Sequence, residues 1–320
     1  MSKKLPSDQH GSPHPPSFVV GIVIVVAATE RLLRGLVGIA DAVRVAPFVA
    51  STIISGMEAE NVAVGLAAGA RGVSDVALGT AYGGAIVLLC WALGAGALIV
   101  PLRVRVPRGV VLLLPGAALL AGLPILFTDT PRWTGLVLLG AFGFAVAFVV
   151  RASRDHPFVD DAALREARET QRTLRSAVAW TLVGLALIAV GGELVATGAE
   201  GLITTLGLSA GLIGMVVTPA AIEAEEIIRQ VVPAREGYAD VSAGNTVGTV
   251  LWFLLFNLGL IVWLTPVGVP AQVRLLDWPY LVVAAALAGA FLLRGRVGRV
   301  EGALLVALGL AYAVLHVVVR

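Results

Sequence analysis

Five glutamates lie in stretches of the chain that are otherwise apolar: Glu58 and Glu60 within SGMEAENVAVGL, and Glu223, Glu225 and Glu226 within TPAAIEAEEIIRQ. A carboxylate at mid-membrane costs about 2.5–3.5 kcal/mol on insertion scales, so such groups must face protein or water, be protonated, or bind cations. Residues three apart share a helix face, which places Asn61 beside Glu58 and Glu226 beside Glu223. Glu60 and Glu225 point away from that face. Were the two segments to meet, Glu58, Asn61, Glu223 and Glu226 would converge as a hard oxygen site suited to sodium or calcium, with Glu58, Glu223 and Glu226 as the metal-binding carboxylates.

Neighbouring residues add oxygen or space. Thr80, Asn245 and Thr249 can contribute ligands, and Thr218 precedes Pro219, which would free carbonyls from the helix ladder. No proline stands at the matching Ile54, although Ser51, Thr52, Ser55 and Gly56 could support a break there. Gly79 with Gly83, and Gly244 with Gly248, set small residues four apart and permit close helix approach. The alternative for the acids is pairing with an intramembrane base, and Arg229, four residues after Glu225, is the candidate within the motif. Glu225 is therefore read either as a ligand or as half of an ion pair. His316 reads as a packed or interfacial histidine, and Asp160 and Asp161 as a solvated face. No ATP-binding loop, serine elbow or zinc-binding histidine pair is present.

The two acidic segments are copies. GMEAENVAVGLAAGARGVSDVALGTAYGG (56–84) aligns without a gap on AIEAEEIIRQVVPAREGYADVSAGNTVGT (221–249) at an offset of 165 residues. Identical pairs are Glu58 and Glu223, Glu60 and Glu225, Gly72 and Gly237, Asp75 and Asp240, Gly79 and Gly244, and Gly83 and Gly248, while Asn61 stands against Glu226. A weaker match sets Glu30 against Glu193.

The elements that must carry these residues follow from composition. Of 320 residues, 58% are hydrophobic and 14% charged, with a mean hydropathy of +0.92. Soluble domains carry about 25% charged residues, so the chain reads as a polytopic membrane protein. A net charge of +2 gives no reason to invoke nucleic acid, and a lone Cys90 excludes an intrachain disulfide. Apolar spans fall near 18–38, 45–70, 75–99, 109–128, 132–151, 176–199, 207–231, 240–265, 278–294 and 301–319. Residues 1–17 form a disordered tail, and 152–175 a charged connection between a first half (18–151) and a second (176–320).

Lys3, Lys4, Arg71, Arg132, Arg274 and Arg320 are the 6 basic residues on the side of the termini, against 17 on the other, or 14 with Arg31, Arg34 and Arg229 set aside. Cytoplasmic loops carry the excess, which predicts both termini outside and the central loop in the cytoplasm of a multi-pass cell-membrane protein. Five spans per half mean that the second copy enters from the opposite side. The expected fold class is an all-α membrane protein of about ten transmembrane helices in two inverted five-helix repeats, with a site near the bilayer midplane.

This pattern resembles the cation/calcium exchanger superfamily, typified by sodium/calcium exchangers. The middle of its alpha repeat, G-x-x-D-(L/I)-A-x-G-N, is matched by GVSDVALG from Gly72 to Gly79 and GYADVSAGN from Gly237 to Asn245. The ligand positions depart from the family pattern. Its glutamate aligns with Asn61 and Glu226, its preceding proline with Glu60 and Glu225, its serine with Glu58 and Glu223, and its terminal amide or carboxylate with Leu88 and Phe253. The resemblance implies a secondary antiporter working by alternating access, in which the first helix of each half slides against a core holding the ions. It would exchange calcium or another metal cation for sodium or protons, with the bilayer and these ions as its partners and no cofactor. A membrane protein that keeps the fold as a non-transporting binding or scaffold module is the alternative. The sequence leaves the oligomeric state open.

Overall fold

Backbone polar groups in an apolar run must bond internally, which makes the long hydrophobic segments helical. The computed structural model describes residues 15–42, 58–127, 130–152, 173–235 and 239–318. Expectations for the N-terminal tail, for Ser51, Thr52, Ser55 and Gly56, for Asp160 and Asp161 in the central connection, and for Gly237 lie outside these residues. The side chains of Glu30, Glu225, Arg229 and Asp240 also lie outside what is described.

Seven described helices are long and apolar enough to cross a membrane: Ser74–Ile99, Arg108–Leu126, Arg132–Ala152, Leu174–Leu206, Ser242–Leu264, Val273–Leu293 and Arg299–Val318. The other helices are Pro15–Ala42, Ala59–Ala70 and the run 210–235, whose apolar parts are shorter.

Two helices form the centre. In Ser74–Ile99, 78% of the apolar window is buried, and in Ser242–Leu264 72%, whereas Arg132–Ala152 and Leu174–Leu206 bury 22% and 28% and turn Phe144, Leu182 and Val190 outward. The central pair contains the later part of each sequence copy. Both members also carry a π-helical turn, Leu88–Ala92 in one and Trp252–Asn257 in the other. The two turns overlap at the same 165-residue offset, so the irregularity repeats with the sequence. Such bulges commonly mark functional helices.

Helices Pro15–Ala42 and Leu174–Leu206 pack antiparallel along their length, with Phe18 against Gly198, Gly21 against Gly191 and Val195, Leu32 against Gly184, and Gly35 against Thr181. A Cβ on Gly21 would stand 2.6 Å from the Val195 amide nitrogen, and one on Gly184 2.8 Å from that of Leu32. Glycine is what permits this backbone approach. Thr173 caps the start of Leu174–Leu206 by accepting from the Ser176 amide, and Gly207, at φ +61, ends it.

At one end of the bundle, strand β1 (Leu102–Arg103) pairs antiparallel with β2 (Arg296–Val297), Leu102 opposite Val297 and Arg103 opposite Arg296. The pairing brings the two arginine-rich turns, one with Arg103, Arg105 and Arg108 and the other with Arg294, Arg296 and Arg299, to the same end. At the opposite end, Arg71 in the turn after Ala59–Ala70 reaches Glu193 and Glu200 on Leu174–Leu206.

Candidate cation site

Helix Ala59–Ala70 begins at Glu58, whose backbone (φ −95, ψ 67) is not helical, and ends at Gly72, at φ +77. The left-handed conformation at Gly72 accounts for one invariant position of the repeat. The 210–235 run is irregular where its acids lie. It starts under Ser209, which accepts from the Leu212 amide, and passes through a π-helical turn at Ile213–Val217. A turn of α-helix at Thr218–Ile222 leads to a 3-10 turn at Glu223–Glu225, and the α-helix resumes at Glu226–Arg235. Pro219 lacks the N–H that the Met215 carbonyl would otherwise receive. That carbonyl lies instead against Gly83, where a Cβ would collide with it.

The two segments meet through an amide. Asn61 Nδ2 donates to Glu223 Oε1 at 2.7 Å and to Glu58 Oε2 at 3.5 Å, so one asparagine bridges a carboxylate of each copy. Glu58 and Glu223 are each 2% exposed and Asn61 is 0% exposed. Glu226, 1% exposed, accepts from Asn245 Nδ2 at 2.9 Å, which ties the acidic run to the central helix of its own half. Asn61 Oδ1, Thr218 Oγ1 and Thr249 Oγ1 are buried without a hydrogen-bond partner among the described residues. Buried oxygens of this kind are costly unless something electropositive meets them.

Other candidates fare differently. Thr80 is fully buried, but its hydroxyl donates to the Ala77 carbonyl at 2.8 Å, back into its own helix. Glu60 is 3% exposed although it leaves the Glu58 face. Glu225, and with it the proposed pair to Arg229, lies outside the described side chains. Among the described residues, no three of His, Cys, Asp and Glu gather closely enough to hold one metal. The hydrogen bonds of the described residues bring Glu58, Asn61 and Glu223 together and set Glu226 against Asn245. An amide between two carboxylates relieves their like-charge repulsion at low dielectric.

Two polar residues went unnoticed in the sequence. Gln230 is fully buried beside Gly96, with neither amide atom hydrogen-bonded among the described residues, and Asn257 is buried in the same condition inside its π-helical turn. The signal for Gln230 was available, because it lies four residues after Glu226 and seven after Glu223, on one helix face. Asn257 had no such signal, since a π-turn shifts the face that spacing predicts.

Close approach holds the site together. A Cβ on Gly79 would collide with the Gly214 carbonyl, and one on Gly214 with the Asp75 carbonyl, so helix Ser74–Ile99 and the 210–235 run cross backbone to backbone. The expected role of Gly79 and Gly83 is thus met. Gly248, by contrast, has nothing within 4 Å among the described residues.

Known proteins resemble this chain in sequence and in fold. CaxA of Alkalimonas amylolytica, designated an antiporter, is 27% identical over 308 residues, covering 92% of this chain and 95% of its own. The inner membrane protein YrbG of Escherichia coli (strain K12) is 26% identical over 257 residues, covering 78% and 79%. Among solved structures, the H+/Ca2+ exchanger CAX superposes with a TM-score of 0.74 at 16% identity, covering 98% of this chain and 87% of its own. The sodium-calcium exchanger NCX_Mj superposes with a TM-score of 0.61 at 19% identity, covering 95% and 98%. The sequence model described as sodium/calcium exchanger protein matches residues 15–151 and 176–318. With nearly the whole described helical chain inside that match, this multi-pass membrane protein belongs to the sodium/calcium exchanger protein family.

Proposed function

We propose that the protein is a secondary cation antiporter that exchanges calcium or another metal cation for sodium or protons by alternating access. The observation that carries this reading is the buried bridge from Glu58 through Asn61 to Glu223, which joins the two sequence copies at a point where charge is otherwise avoided. Glu58, Asn61 and Glu223 form the primary ligand group. Glu226 with Asn245, and the hydroxyls of Thr218 and Thr249, supply further oxygen around it. The names of the relatives, an antiporter and exchangers of Ca2+ with Na+ or H+, support the same reading.

Exchange, rather than one-way passage, follows from the charge. Two or three carboxylates cannot stay ionised and unaccompanied in a low-dielectric core, so a cation leaving must be replaced by another cation or by protons before the site crosses. The ten spans divide into two inverted halves, with both termini outside and the central loop cytoplasmic. The antiparallel pairing of Pro15–Ala42 with Leu174–Leu206 supports this, as does the shared end of the two arginine-rich turns. That helix pair is held to the core by glycine contacts and, at one end, by Arg71. It is the part that moves.

Counterflow in proteoliposomes tests the assignment. Calcium-loaded vesicles diluted into sodium or into acid should release calcium, and Glu58→Gln combined with Glu223→Gln should abolish the release. Unchanged flux in the double variant would refute the site.

A further inference from the structure

Asn257 is fully buried in the π-helical turn Trp252–Asn257, and among the described residues neither of its amide atoms has a hydrogen-bond partner. A buried amide in that condition is destabilising unless some state of the protein gives it a partner. The turn decides which way it faces. Two turns of α-helix beyond Thr249 cover about seven residues and would end at Phe256. A π-turn holds one residue more, which moves that place to Asn257. Phe256 accordingly packs on Phe142 of the outer helix Arg132–Ala152, with ring centroids 5.2 Å apart. Asn257 instead shares the face of Thr249, whose hydroxyl is also buried without a partner among the described residues.

Helix register places that amide beside the glutamates. A Cβ on Gly65 would stand 2.5 Å from Ile261 Cδ1, and one on Gly69 2.5 Å from Thr265 Oγ1. Helix Ala59–Ala70 therefore runs parallel to the end of Ser242–Leu264, with the same offset at both contacts. One turn earlier on each helix, that offset sets Asn61 against Asn257. Helix Ala59–Ala70 indeed packs on the π-helical turn as well as on Leu258–Leu264.

Asn61 has a use for such a neighbour. It turns Nδ2 toward Glu223 and Glu58, which suits bare carboxylates but sets a donor where a cation would lie. Its Oδ1, the atom that a hard cation takes, is buried without a partner among the described residues. A half-turn about the Cβ–Cγ bond exchanges the two atoms. Oδ1 then joins the glutamates as a ligand, and Nδ2 comes to the other side and requires an acceptor. We propose that Asn257 is the positioning residue for this turn: its Oδ1 accepts from Asn61 Nδ2 when a cation is held, and so keeps Asn61 Oδ1 on the ion. Both side chains are neutral amides, so the exchange adds no charge to a site that already holds two carboxylates.

The assignment rests on the reading of Glu58, Asn61 and Glu223 as a cation site, and calcium binding at equilibrium tests it apart from transport. In calorimetric titration of the purified full-length protein with calcium chloride, Asn257→Leu should weaken binding roughly tenfold, the scale of one lost hydrogen bond beside a charge. The melting temperature of the cation-free variant should hold or rise, because leucine replaces an unpaired buried amide of similar size. In an Asn61→Ala background, Asn257→Leu should change affinity by less than about twofold, since the group it positions is gone. Unmoved affinity in Asn257→Leu, or a full tenfold loss in the Asn61→Ala background, would overturn the assignment. So would a lower cation-free melting temperature with affinity intact, the mark of a purely structural residue. Absence of calcium binding in the unsubstituted protein would overturn the site and the assignment together. Calcium binding with no counterflow in proteoliposomes would instead refute the antiport reading and leave the result for Asn257 standing.

Discussion

The two copies of the repeat hold the same residue types at the same offset, yet they do different things. In the first copy, Asn61 reaches across to Glu223 of the second, whereas Glu226, at the equivalent position, turns to Asn245 within its own half. A Cβ on Gly83 would collide with the Met215 carbonyl, while one on its counterpart Gly248 would meet nothing within 4 Å among the described residues. A duplicated sequence thus yields a site that is not symmetric. One amide in place of one carboxylate decides which acids can approach, because Asn61 donates where a third anion would repel.

The largest effect should come from the crossing. Gly79→Ala places a methyl group against the Gly214 carbonyl and should cost about 3 kcal/mol, read as lost thermal stability in detergent. Gly248→Ala should stay within about 0.5 kcal/mol, as for substitutions that touch nothing critical. Gly83→Ala, at the position equivalent to Gly248, should cost about as much as Gly79→Ala, and a loss no larger than that of Gly248→Ala would remove the distinction between the copies.

Next come the carboxylates taken singly. Glu58→Gln and Glu223→Gln should each slow exchange about 100-fold, equivalent to about 2.7 kcal/mol, whereas Glu226→Gln should slow it about tenfold. If Glu226→Gln proved the most damaging of the three, the primary group would be centred on Glu226 and Asn245. Asn61→Glu makes the copies alike. It should destabilise the cation-free protein by about 2 kcal/mol through repulsion with Glu58 and Glu223, and millimolar calcium should restore much of the loss by binding the folded state. Thermal melts with and without calcium would measure both.

The smallest effect belongs to Arg71. Glu193, first through its hydrogen bond, raises the affinity of the Arg71 guanidinium for its proton, so the group stays charged at every physiological pH. A raised folded-state value contributes stability that is fully present below the ordinary arginine range and is lost only above it; no pH effect from Arg71 is expected between 5 and 9. Because the Arg71 side chain is 33% exposed and that of Glu193 53%, Arg71→Ala should cost less than about 1 kcal/mol. Its mark should be a loss of salt sensitivity in exchange rate, since the ions join helix Leu174–Leu206 to the turn after Ala59–Ala70.

Much of the fold was legible. Hydropathy located the long helices, and the 165-residue offset identified the two acidic segments before any contact was known. Spacing set Asn61 beside Glu58, and Asn61 Nδ2 does reach Glu58 Oε2. Spacing failed where the helix departs from 3.6 residues per turn. The π-turn at Trp252–Asn257 changes which residues face inward, so Asn257 was missed. His316, read as a packed or interfacial histidine, is packed against Asp277, a partner 39 residues away that no local pattern could supply.

The sequence by itself determined what each segment must satisfy: apolar runs must be helical in lipid, and repeated acids must find cations, protons or polar partners. Only the tertiary structure decided which partners they find. Asn61 meets Glu223 from 162 residues away because Gly79 and Gly214 let two backbones cross, and contacts of that range depend on how helices pack rather than on the period within any one of them.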